Sequence, residues 1–209
     1  MENFEKIVPL FPEKKAVTAN SVWTFNRDAT ENWAYWNDAF TVDECKKIIE
    51  IGQKKSVTKA TVKNNDTVDE VRKSNIAWLY PSDNMEWAYL RLTEIAQSLN
   101  ERFFKFNLFG MVEGLQFTCY DAPDGFYGMH IDKFFNGTIR KLSITVQLSN
   151  PEEYDGGELV LHYGKTPEVM EKQQGKLIAF PSYALHEVRP VTRGTRYSLV
   201  AWITGEPFK

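Results

Sequence analysis

The sequence predicts an α+β fold in which helices come first and a β sandwich or jelly-roll barrel follows, on three observations. Apolar residues recur at three- and four-residue spacing up to about residue 103. From about residue 111 the spacing changes to two. The alternating runs are short, and Gly, Pro and Asp turns separate them. The 209 residues, with 43% hydrophobic side chains, suit one catalytic-sized domain over 1–209. Within it, 1–110 would supply an arm and supporting helices, and 111–205 the β core.

Each element follows from its own pattern. Residues 1–35 read as an irregular arm with short strands. "TVDECKKIIEIG" predicts a helix, with Thr41 as N-cap, Glu44 completing a capping box, and Gly52 just past the last turn. Residues 54–75 are polar and turn-rich and predict a mobile loop whose lysines (Lys54, Lys55, Lys59, Lys63) are solvated. A longer helix is expected from about Asp83 to Phe103, with Met85, Tyr89, Leu92, Ala96, Leu99 and Phe103 on one face and Asp83 and Glu86 as a capping pair. "GLQFTCY" then sets Leu115, Phe117 and Cys119 against Gln116, Thr118 and Tyr120. "LSITVQLS" sets Leu142, Ile144, Val146 and Leu148 against Ser143, Thr145 and Gln147. "ELVLHYG", "KLIAFPS", "ALHEV" and "RYSLVAWIT" supply further strands, and Gly156 and Gly157 suit a hairpin turn.

Composition narrows the function. A net charge of −3 argues against a surface that tracks a phosphate backbone, so no nucleic-acid partner is expected. No apolar run approaches a membrane span, and the N-terminus lacks a secretory-signal pattern. Two cysteines, Cys45 and Cys119, form neither a disulfide framework nor a CxxC metal pattern. A soluble cytoplasmic protein is the expectation.

The chemistry concentrates in "FYGMHIDKFF". His130 and Asp132 stand two apart, so a strand presents both on one face. His186, from a separate strand, could add a third ligand. Two imidazoles and one carboxylate make the facial triad of non-haem Fe(II) oxygenases, which leaves coordination positions open. Arg196 follows His186 across "RPVTRG". In a hairpin it would return beside His186, and a buried guanidinium there would hold a carboxylate. His162 lacks such neighbours and reads as structural.

The ordered set HxD at 130–132, His186 and Arg196, with "CYDAPDGFYGMHID", "YDGGELVL", "FPSYALHEVRPVTRGTRYSLVAWI" and "NDAFTVDECKKII", resembles the Fe(II)/2-oxoglutarate-dependent oxygenase superfamily in its prolyl 4-hydroxylase-like branch. The resemblance covers roughly residues 36–203. It implies a double-stranded β-helix core, of the jelly-roll or cupin kind. It implies a dioxygenase using Fe(II), 2-oxoglutarate and O2, with ascorbate as a possible reductant, that hydroxylates a peptide or protein, most readily at proline, and releases succinate and CO2. It makes His130, Asp132 and His186 the iron ligands and Arg196 the partner of the 2-oxoglutarate C5 carboxylate. Tyr120 would reach cosubstrate or substrate. Gln147 stands where some relatives carry a tyrosine, so Ser198 is the substitute contact. Tyr127, Phe134, Phe135, Trp202 and Arg72 are pocket candidates, although Arg72 by itself reads as a solvated loop charge. A free amino acid or small metabolite is the alternative substrate, and a non-enzymatic binding module the alternative class.

Overall fold

The computed structural model describes residues 30–55, 58–59, 71–132 and 138–207. In chain order they form β1 (Ala34–Trp36), α1 (Val42–Lys54), β2 (Thr58–Lys59), β3 (Arg72–Lys73), β4 (Asn75–Leu79), α2 (Glu86–Leu99), β5 (Leu108–Gly110), β6 (Leu115–Asp121), β7 (Gly125–His130), β8 (Arg140–Gln147), β9 (Asp155–Gly156), β10 (Leu159–His162), β11 (Glu168–Val169), β12 (Leu177–Pro181), β13 (Leu185–Arg193) and β14 (Thr195–Gly205).

Alternation sorts these strands into two antiparallel sheets. The larger has the order β1-β12-β8-β14-β6-β4-β2, with β5 added to β14; the smaller runs β11-β10-β13-β7-β3, with β9 on β13. On β8, Leu142, Ile144 and Val146 are fully buried and join Leu115, Phe117, Leu199 and Ala201 in a core that also takes Cys45 and Ile48 of α1 and Leu92 and Leu99 of α2. The helices therefore cover the outer face of the larger sheet. Its other face carries the intervening residues, among them Thr145, Ser198 and Trp202, and looks onto a cavity shared with the smaller sheet. This is the expected double-stranded β-helix. The sheets also recruit β1, at the end of the arm where short strands are expected, and β2 to β4, which the pattern places in loop or leaves unassigned. No helix among the described residues is long and apolar enough to cross a membrane.

Several local expectations change. Thr41 caps α1 and Glu44 completes the capping box, but Gly52 is not a terminator. It lies inside the helix, where a Cβ would meet the Phe117 ring at 2.4 Å. Its smallness lets α1 lie on β6. Asp83 and Glu86 do not cap α2. Asp83 instead closes a short 3-10 turn, Pro81–Asp83, by accepting from the Tyr80 N–H at 2.8 Å, and it pairs with Lys55 at 2.6 Å. The second helix begins at Glu86 and ends in a π turn over Asn100–Phe104, where the Asn100 side chain bonds both the N–H and C=O of Phe106. Parts of the loop expected at 54–75 are strand, because β2 and β3 extend the two sheets; its residues 56–57 and 60–70 lie outside the described residues.

The largest correction concerns β13 and β14. They are not a hairpin. At Gly194 (φ +70°) the chain leaves the smaller sheet and enters the larger one, so β13 pairs with β10, β7 and β9 while β14 pairs with β8, β6 and β5. A Cβ at Gly194 would meet the Glu153 carbonyl oxygen at 2.1 Å, so this crossing needs glycine on both counts. Arg196 and His186 thus line one cavity from different sheets and share no ladder.

Candidate active site

Strand β7 ends at His130, and β13 sets His186 directly opposite it. The two rings lie 4.1 Å apart. Two residues beyond His130, the Asp132 N–H donates to the Ser182 carbonyl at 3.0 Å, which turns its carboxylate back toward both rings. Asp132 Oδ1 is 3.7 Å from His130 Nε2, and Oδ2 is 3.5 Å from His186 Nε2. Three donor atoms, one from each residue, lie within 4.8 Å of one another.

Protonation follows from the outer contacts. His130 Nδ1 donates to the Gly128 carbonyl at 2.8 Å, and His186 Nδ1 to the Ala184 carbonyl at 2.9 Å. A carbonyl only accepts, so each Nδ1 carries the proton and each Nε2 offers a lone pair. Burial pushes the His130 imidazolium down to about 4; His186 adds to this, and Asp132 opposes it. Burial resists ionisation of Asp132, yet His186, His130, the Trp202 indole N–H and the Ser143 hydroxyl outweigh it and hold its carboxyl below the usual range. Ser143 Oγ donates to Asp132 Oδ2 at 2.7 Å and bonds Ser182 Oγ at 2.9 Å. The Trp202 N–H is buried beside this carboxylate without a well-formed hydrogen bond. Two lone pairs and an ionised carboxylate converge on one point. That set suits a divalent cation with mixed nitrogen and oxygen preference.

Arg196, on β14, is 1% exposed. Its Nη2 donates to Gln147 Oε1 at 2.9 Å and its Nη1 reaches Ser198 Oγ at 3.5 Å; Nε is buried and without a partner. The guanidinium stands 5.3 Å from the Tyr120 ring centroid, and its pull opposes the upward shift that burial gives the Tyr154 hydroxyl. Among the described residues no carboxylate pairs with Arg196. A buried, acid-free cation with a spare donor fits an anionic ligand. Gly157 makes this possible: its φ is +66°, and a Cβ there would meet Arg196 Cδ at 2.9 Å. The Gly156–Gly157 pair does more than turn the chain.

A cavity of about 520 Å³ joins the two features, with the three His and Asp residues, Tyr120, Arg196 and Ser198 among its walls. Tyr127, Trp202 and Arg72 line it as well, whereas Phe134 and Phe135 lie outside the described residues. Gln147 is not a wall; it holds Arg196 from behind. Arg72 is 7% exposed and no solvated loop charge. Strand β3 pairs it with Tyr127, whose ring it covers at 4.4 Å, and Tyr127 stacks on His130 at 3.5 Å. His162 bonds Glu187 at 3.2 Å, away from the cluster. Sequence reasoning passed over Tyr154, which enters only as the first letter of "YDGGELVL". It also missed the Glu113–Arg140 pair on the cavity wall, whose partners lie 27 positions apart with no motif to join them.

Residues 115–204 match the model of the 2OG-Fe(II) oxygenase superfamily. A PKHD-type hydroxylase of Synechococcus sp. is 34% identical over 121 residues, covering 54% of each chain. One from Nitrosomonas europaea is 32% identical over 151 residues, covering 69% of this chain and 62% of the relative. The chain thus spans about half the length of the first of these relatives. Among solved structures, a Pseudomonas putida prolyl-4-hydroxylase superposes with a TM-score of 0.69 at 21% identity, covering 85% of this chain and 95% of the other. A Trichoplax adhaerens prolyl hydroxylase, in complex with a hypoxia inducible factor oxygen degradation domain peptide fragment, gives 0.70 at 18% identity over 83% and 84%.

Proposed function

We propose, from the match of residues 115–204 to the 2OG-Fe(II) oxygenase superfamily, that the protein is a prolyl 4-hydroxylase-like dioxygenase acting on a peptide or protein, with proline the favoured target. The observation that carries the reading is one cavity holding both His130, Asp132 and His186 and the acid-free Arg196. The family implies Fe(II), 2-oxoglutarate and O2. The Nε2 atoms of His130 and His186 and the Asp132 carboxylate would hold the iron. Arg196, with Ser198, would hold the far carboxylate of 2-oxoglutarate as a charge-assisted pair. When bound, iron and 2-oxoglutarate supply an O2-dependent oxidation that yields succinate, CO2 and a hydroxylated C–H position.

The remaining residues orient and exclude. Backbone carbonyls of Gly128 and Ala184 hold the proton of each imidazole on Nδ1 and so aim each Nε2 at the cluster. Ser143 and Ser182 fix the Asp132 carboxylate. Tyr127 and Phe180 pack on the two imidazole rings, and Trp202 fills the space beside Asp132. The peptide carried by the Trichoplax neighbour supports a peptide substrate for this chain.

Anaerobic titration with Fe(II) and then 2-oxoglutarate tests the reading. A visible charge-transfer band should appear only with both, and O2 should then drive 2-oxoglutarate consumption. His130→Ala, Asp132→Ala and His186→Ala should each abolish consumption while circular dichroism shows a folded chain. No band in the parent, or full consumption in a folded triad variant, would overturn it.

A further inference from the structure

The cavity walls hold three guanidiniums, Arg72, Arg140 and Arg196, and two carboxylates, Glu113 and Asp132. Arg140 meets Glu113 in a two-point pair at 2.7 and 2.6 Å. Asp132 serves the histidine cluster. Arg196, on the reading above, takes 2-oxoglutarate. Arg72 is left over. Its Nε donates to Ser74 Oγ at 2.7 Å, its Nη2 donates to Gln116 Oε1 at 3.0 Å, and its face rests on Tyr127. All three contacts are neutral, and no carboxylate among the described residues pairs with Arg72. A divalent ion and the 2-oxoglutarate dianion cancel in charge, so the loaded cavity keeps one positive charge. Among the described residues, Arg72 is the group that carries it without a carboxylate partner.

We propose that Arg72 receives a carboxylate of the substrate. The proposal rests on the functional reading above and narrows it to acidic substrates. An uncompensated cation buried this far selects an anion over a neutral group of the same shape. Position supports the choice, because the Arg72 guanidinium, the Tyr127 ring and the His130 ring form one stack. A carboxylate on Arg72 is therefore anchored one aromatic ring away from the triad, and the C–H groups beside it face the same cavity. Two sources share this chemistry: an acidic side chain next to the target residue of a peptide, and the α-carboxylate of a free amino acid.

Binding without turnover tests it. The full chain, loaded anaerobically with Fe(II) and 2-oxoglutarate, is titrated by calorimetry at low salt. One pair of probes is a pentapeptide centred on proline, blocked at both ends, with either alanine or glutamate flanking the proline. The second pair is L-proline and L-prolinamide. In at least one pair the member with the extra carboxylate should bind roughly tenfold to a hundredfold tighter than the member without it. Preference within the peptide pair identifies a peptide source, and within the proline pair a free amino acid. Arg72→Gln should erase the preference and Arg72→Lys restore part of it, while Arg193→Gln, an exposed charge at the end of β13, should leave it unchanged. Equal affinities within both pairs, no binding of either acid, or a preference that survives Arg72→Gln would each overturn the proposal. The parent's own preference decides the matter if Arg72→Gln does not fold. Acid-selective binding with no hydroxylated product would remove the functional reading alone; hydroxylation of acidic and neutral probes alike would remove this one alone.

Discussion

Replacing Arg196 with methionine should move stability and cosubstrate binding by very different amounts. The buried Nε has no partner, and relieving such a group returns about 1–3 kcal/mol. The substitution also strips Gln147 Oε1 of the donor it meets at 2.9 Å, a loss of about the same size. The two nearly cancel, so ligand-free Arg196→Met should melt within about 4 °C of the parent, at about 2–4 °C per kcal/mol for a chain of this length. Cosubstrate binding has no such offset. Truncating one side of a desolvated charge pair costs about 2–5 kcal/mol, which weakens 2-oxoglutarate thirtyfold to several thousandfold, at about 1.4 kcal/mol per tenfold. Differential scanning fluorimetry of the iron-loaded, oxygen-free protein reads both. With 2-oxoglutarate at a hundred times the parent's dissociation constant the parent gains about 2.7 kcal/mol, or about 5–10 °C, and Arg196→Met should gain at most about 0.9 kcal/mol, or about 2–3 °C. A structural arginine would behave oppositely. Breaking a buried pair costs about 3–5 kcal/mol, so a ligand-free melting point lowered by more than about 6 °C, with the 2-oxoglutarate shift intact, would refute the argument.

Ser143→Ala removes the hydroxyl donated to Asp132 Oδ2; iron affinity, read by chelator competition, should fall about tenfold to a hundredfold while the fold persists. Gly157→Ala places a methyl 2.9 Å from both Arg196 Cδ and Val191 Cγ2 at a φ of +66°; it should cost about 1–3 kcal/mol in urea unfolding and weaken 2-oxoglutarate in parallel, whereas a normal cosubstrate constant would show that Arg196 can shift without loss. In chelator-treated protein His130 is neutral when folded, with its pKa pushed down to about 4 from 6.5, so the unfolded chain takes up the proton first as pH falls. Stability should be whole above pH 6.5 and decline between 6.5 and about 4; urea midpoints that do not change over that window would contradict the assigned neutral tautomer.

Much of the architecture is written locally. The alternation at Leu142, Ile144, Val146 and Leu148 marks the face that α1 and α2 cover, because side-chain period and burial are the same fact on a strand. Thr41 and Glu44 announce their helix for an equally local reason. Asp83, drawn to the Tyr80 N–H three positions back, is a local failure; the others are long-range. Gly52 looks like a helix end until Phe117, 65 positions away, is placed against it. The turn before Arg196 looks like a hairpin because turn residues do not say which sheet receives the next strand. His130, Asp132 and His186 were legible as a set through their order and spacing, and the structure brings their side chains together. Arg72 looked like a solvated loop charge, since nothing near it in sequence reports that β3 lies against β7. Tyr154 and Glu113 carry no local signal for the groups they meet.

The hydrogen bonds behind the two imidazoles have a consequence for mutational drift. Each Nδ1 is held by a main-chain carbonyl two positions earlier in the chain, and that carbonyl exists whatever side chain occupies the position. The tautomer that exposes Nε2 is thus encoded by backbone path alone. Asp132 is only half insured: the Ser182 carbonyl fixes its N–H, but its carboxylate also depends on the hydroxyls of Ser143, on β8, and Ser182, in the turn after β12. Random substitution should therefore disable this centre asymmetrically: the nitrogen ligands tolerate turnover among their neighbours, and the oxygen ligand is the point at which distant replacements first detune the site.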